Sequence, residues 1–134
     1  MVISVARAEA GTAGAVLGTL TVPSEAGRAG LAAGAIEVAV SPDSRFAFLT
    51  LENKAEAAVF NLGTAVAHGL GQAGYVGAIP LGGAPVGLTV SPDGRWLYAT
   101  SEDAVGAQHP AVLGSPGDAG VVCLERSRAS RRAR

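Results

Sequence analysis

Cysteine is almost absent from this chain. Cys123 is its single thiol, which excludes an internal disulfide and any cysteine-built zinc site. It lies in the apolar run Val121-Val122-Cys123-Leu124 and reads as a small buried hydrophobe. Aromatic residues are scarce too, six in 134, so a core here is built of Ala and Val, whose short side chains bring backbones close together. No run reaches the roughly 18 apolar residues that a membrane helix needs. The opening heptad, Met1-Val2-Ile3-Ser4-Val5-Ala6-Arg7, has no basic stretch ahead of its apolar one and so does not read as a signal peptide. A cytoplasmic chain is the default expectation. Basic residues are few outside one place. Residues 1–125 hold 11 acidic and 5 basic side chains, for a net of −6, and Arg126, Arg128, Arg131, Arg132 and Arg134 give the last nine residues +5. No basic patch extends into the rest of the chain and no aromatic residue interleaves the arginines, which argues against nucleic acid as a partner. Residues 126–134 read as a disordered, solvated tail.

What is present is apolar content and punctuation. Hydrophobic residues make up 49% of the chain, enough for one domain with a buried core, and 19 Gly with 7 Pro break it into short pieces. One of those breaks repeats. Ser41-Pro42-Asp43-Ser44-Arg45 returns fifty positions later as Ser91-Pro92-Asp93-Gly94-Arg95, between matching apolar segments. A period in that range is the mark of an array built from one supersecondary unit.

Each unit reads as four strands. Strand A is residues 36–41 and again 86–91, with the larger apolar side chains at alternate positions. The Pro-Asp-Ser or Pro-Asp-Gly that follows is a tight turn, because Pro presets φ, Asp bonds locally and Gly accepts positive φ. Strand B is residues 45–50 and 95–100, apolar on both faces and therefore expected between two neighbouring sheets. Strand C is 58–62 and 120–124, with 2–5 in the same slot. Strand D is 75–81, matched earlier by 16–22. The order along the chain is C, D, then A, B, C, D, then A, B, C.

Four antiparallel strands per repeat is the pattern of a β-propeller blade. The segment from Pro85 through Ser91-Pro92-Asp93-Gly94-Arg95-Trp96-Leu97-Tyr98-Ala99-Thr100-Ser101 resembles the YVTN-type repeat of lactonase-like seven-bladed propellers, and Gly77-Ala78-Ile79-Pro80-Leu81-Gly82 is similar to the closing Ile/Val-Pro-x-Gly of that repeat. The copy around Asp43 departs from it, with Ser44 for Gly and Phe48-Leu49-Thr50-Leu51 for the namesake tetrad. The expected fold is all-β, with antiparallel four-stranded blades in portions 1–23, 35–82 and 85–125. About two and a half blades cannot close, since propellers use about four to eight. Three arrangements follow: a piece of a longer propeller, self-association through open blade edges, or an open sheet.

The strand order also sorts the loops. Turns between A and B lie at one end of the blade. The other end carries Glu37 near the start of A, and Glu52, Asn53, Glu102 and Asp103 near the end of B. The last B–C loop, about twelve residues longer than its counterpart, brings His109 to that second end. Carboxylates with a histidine can do general acid–base work or hold a hard cation. Glu37 and His109 are the catalytic candidates, and Glu52, Glu102 and Asp103 the metal candidates; no cofactor is expected. His68 falls in the C–D connection, at the wrong end. Gly69-Leu70-Gly71-Gln72-Ala73-Gly74 has dinucleotide-loop spacing but lies between strands and opens no helix, and Ser115-Pro116-Gly117-Asp118 lacks the Gly-x-Ser-x-Gly of a nucleophile elbow.

Two function classes remain. One is a scaffold that presents its loops to a small molecule or protein. The other, implied by the resemblance, is a hydrolase opening a sugar lactone at the channel mouth. No catalytic position of that family matches a residue of this chain.

Overall fold

The two Ser-Pro-Asp turns set the hairpins. Ser41 Oγ accepts the Phe46 N–H at 2.9 Å and donates to Asp43 Oδ1 at 2.6 Å, and that oxygen also accepts the Arg45 N–H at 3.2 Å. Ser91, Asp93, Arg95 and Trp96 repeat the network at 3.0, 2.5 and 3.1 Å. In both copies the fourth residue of the pentad is left-handed, φ 55° at Ser44 and 67° at Gly94. A serine there carries a cost that glycine avoids.

The structure is a computed structural model that describes residues 1–23, 33–103 and 120–125. Strands β3 (Ala35–Val40), β4 (Phe46–Leu51), β5 (Glu56–Asn61) and β6 (Tyr75–Pro80) form an antiparallel meander in chain order. Strands β7 (Gly83–Val90), β8 (Trp96–Asp103) and β9 (Gly120–Glu125) form a second meander, of three strands among the described residues. At the start of the chain, β1 (Val2–Ile3) and β2 (Val16–Gly18) make a two-stranded sheet. The fold is thus one four-stranded antiparallel blade between two partial ones, an incomplete propeller.

Two clusters stack the sheets. Ala57, Leu81, Leu88, Leu97 and Ala99 are buried together, with Ala39, Phe48, Ile79 and Val90 against them, and they join the four-stranded sheet to β7 and β8. On the other face of the four-stranded sheet, Leu51, Ala58 and Phe60 pack with Leu20 and Val22, which follow β2. Strand β4 therefore contributes to both clusters, Phe48 to one and Leu49 and Leu51 to the other, as a strand apolar on both faces should. Alanines bring little apolar area. Burying a leucine is worth about 1.5–3 kcal/mol, so Leu81, Leu88 and Leu97 carry the first cluster.

The C–D connections differ from the expected plain loops. Strand C does not run through 2–5 or to residue 62. Ser4 and Asn61 end it and cap short helices, α1 (Val5–Glu9) and α2 (Leu62–Ala67), with their side-chain oxygens accepting the Arg7 N–H at 3.4 Å and the Thr64 N–H at 2.9 Å. The first strand D is also shorter than 16–22. After Gly18 the chain leaves β2, and Thr21 N–H and Gly71 N–H bond to Gly71 and Thr19 carbonyls at 2.8 and 2.9 Å. The glycine run at 69–74 follows α2 and leads into β6, the reverse of a dinucleotide loop, and Gly71 ties the first sheet to the second. The basic stretch 126–134 lies outside the described residues.

Candidate functional site

Register fixes which groups share an end of the sheets. Ala35 is opposite Leu51 and Gly83 opposite Asp103, while Val40 is opposite Ala47 and Val90 opposite Leu97. The Ser-Pro-Asp turns therefore sit at one end, and Glu52 with the end of β8 at the other. A 3-10 turn, Glu52–Lys54, closes this second end of β4 into β5, its Glu52 N–H donating to the Gly34 carbonyl at 2.9 Å.

Glu37 is the best-placed acid, and its contacts are specific. Its own N–H donates to Thr50 Oγ1 at 3.0 Å on β4. Its Oε2 accepts the N–H of Leu88 at 3.1 Å, from a residue 51 positions on in the next sheet. The carboxylate runs sideways between β3 and β7 and not out to the loops. A Cβ at Gly87 would collide with Thr100 Oγ1 and come within 3.7 Å of Glu37 Oε2. Sequence alignment of the repeats pairs Glu37 with Gly87: Glu37 reaches across to the Leu88 N–H, and Gly87 lies against Thr100.

Among the described residues, no hydrogen bond joins Glu37 to Glu52 or Glu102. Glu52 is half-buried in its turn and Glu102 is exposed on β8. Asp103 ends β8. His109 lies outside the described residues. His68 is exposed and closes α2, its N–H donating to the Thr64 carbonyl at 3.1 Å. Among the described residues, no group of three or more His, Cys, Asp or Glu is arranged to hold a metal ion, and no helix is long and apolar enough to cross a membrane.

Two features escaped sequence reasoning. Thr50 is fully buried, and its hydroxyl accepts from β3; a Thr at the same place in both strand B copies was the available signal. Ser101 is fully buried too, and its Oγ has no hydrogen-bond partner. It aligns with Leu51, so the repeat places a polar group where its sister has an apolar one. At the scaffold end the Ser91 hydroxyl, then the Arg95 N–H, hold the Asp93 carboxyl below the usual carboxylate range.

No family model matches the chain. No curated protein matches it either. Among solved structures it is similar to Kuenenia stuttgartiensis hydrazine synthase, with 18% identity and a TM-score of 0.46 over 60% of this chain. The match spans 21% of that protein's chain. The propeller-type arrangement described above rests on strand pairing and sheet stacking, independent of this likeness.

Proposed function

We propose that this chain is a propeller-repeat scaffold, part of a larger β assembly, that displays loops to a small-molecule or protein ligand and is not catalytic by itself. The observation that carries this reading is the engagement of Glu37. A general base needs a free carboxylate within reach of a substrate proton, whereas this one accepts a backbone N–H across a sheet interface. Its chemistry serves stacking. The turn at Glu52 connects β4 and β5, strands packed on both faces, the usual setting for a ligand site on a rigid frame. The resemblance of the repeat to lactonase-like propellers supplies the rival, a hydrolase of sugar lactones.

The test is a lactone hydrolysis assay on the full chain with Glu37→Gln and His109→Ala beside it. The scaffold reading expects no turnover above buffer in any of the three. Turnover in the parent that falls at least tenfold in either variant, with the melting temperature unchanged, overturns it in favour of the hydrolase.

A further inference from the structure

The four-stranded sheet is covered unevenly on the face that meets Leu20 and Val22. Over β4 and β5 the cover is complete, with Leu51, Ala58 and Phe60 buried. Over β3 it is missing among the described residues. Val38 and Val40 share one face of the strand and are 57% and 48% exposed, and Ile36, beyond the register shift between Ala35 and Val38, is 53% exposed. Their repeat partners are Val86, Leu88 and Val90. Leu88 is 6% exposed, because Ala39 and Phe48 of the preceding sheet cover it and Val90. The bare row is thus a seat for one specific element: an A–B hairpin of this repeat, presenting the face that Ala39 and Phe48 present inside the chain.

This chain carries such a hairpin with no sheet stacked on that face among the described residues. On β8, Leu97 and Ala99 point into the cluster with the four-stranded sheet. Trp96 and Tyr98 alternate with them and point the other way, and both are half-buried. They align with Phe46 and Phe48, while exposed Thr89 aligns with Ala39.

We propose that the chain associates with itself head to tail, the Thr89, Trp96 and Tyr98 face of one copy seating on the Val38 and Val40 row of the next, beside Ile36. The contact continues the stacking that already joins β3–β4 to β7–β8, with the same residue positions on each side. It is a heterologous interface, which closes into a ring when the rotation per copy allows. Two units per copy give the four to eight blades of known propellers at about two to four copies. Nine strands are one more than two four-stranded units hold, so in a closed ring β9 and a neighbour's β1 contend for the same edge of β8. The inference rests on the stacking of the sheets and not on the absence of catalysis.

Sedimentation velocity of the full chain across a concentration series reads this directly. The expected result is a discrete species of two to four copies that dissociates on dilution. Val38→Lys on one face and Tyr98→Lys on the other each reduce it to the single-chain mass, with the far-ultraviolet circular dichroism of the parent. Ile36→Lys, at a comparably exposed position, repeats the first variant independently. Mixing Val38→Lys with Tyr98→Lys restores one interface, and the expected product is a 1:1 dimer that grows no further. A parent that stays at single-chain mass at all concentrations overturns the proposal. So does assembly lost in Val38→Lys but unchanged in Tyr98→Lys, which would mean two identical rows meeting, and so does a mixture that stays at single-chain mass.

Discussion

The same strand occurs twice in this molecule under two conditions. In β7 the apolar row includes Leu88, 6% exposed; in β3 the matched residue is Val38, 57% exposed. Sequence pattern, turn chemistry and register are shared, and both strands pair antiparallel with a following strand of the same type. The difference is only what lies above them. Amphipathic alternation writes a face into a strand; a neighbouring sheet turns that face into stability. The pair also shows specialisation inside a repeat, since the Glu37 carboxylate accepts the Leu88 N–H across the interface and Gly87, its counterpart, lies against Thr100.

The largest expected break in the comparison is Leu88→Ala. It removes a buried side chain from the cluster with Leu81 and Leu97 and should cost about 2–4 kcal/mol, whereas Val38→Ala at the matched site should cost less than about 1 kcal/mol in the dissociated chain. Urea unfolding of both at low concentration checks this, and equal costs would dissolve the contrast. Next is Gly87→Ala, which puts a Cβ against Thr100 Oγ1 at the entry of the Glu37 carboxylate. Overpacking of this kind costs about 1–3 kcal/mol; a melting temperature equal to the parent's would show that Thr100 simply turns aside.

A smaller effect of opposite sign is expected in the turns. Ser44→Gly relieves a left-handed serine at φ 55° and should gain from a few tenths to about 1 kcal/mol, while Gly94→Ser should lose a similar amount. Thermal melts of the two variants should move in opposite directions. Smallest is a pH effect. The folded chain holds the Asp93 carboxyl below its ordinary value, chiefly through the Ser91 hydroxyl. Stability from this group is therefore present above the ordinary carboxylate pKa and is lost as pH falls through the lowered one. Asp93→Asn should flatten that acid limb; an unaltered limb would assign it to other carboxylates.

Much of the fold was legible in the residues. Ser-Pro-Asp with a left-handed fourth position forces a turn, and the alternation on either side yields β3, β4, β7 and β8 within a few residues of their bounds. The helices were not legible. Ser4 and Asn61 look like strand residues inside 2–5 and 58–62, because apolar Val5 and Leu62 follow them. Their capping role appears only when the Arg7 and Thr64 N–H groups turn back onto them. A polar cap residue in the same slot of two units was the overlooked signal. The acidic end was legible as a location, since strand order decides which loops share an end. Glu37 was legible as an acid on strand A and not as a bond between sheets, because its acceptor oxygen meets an N–H 51 residues away.

Local chemistry by itself determined the turn, the period, the strand order and the two faces of each strand, for these depend on neighbours within a few positions: proline's fixed φ, the Asp bond, the two-residue pleat. Tertiary structure decided which faces are filled. Leu88 is covered and Val38 bare, and Glu37 is a tie between sheets and not a rim carboxylate, because burial and long-range hydrogen bonds depend on which sheet stacks against which, and alternation along one strand carries no record of its neighbour.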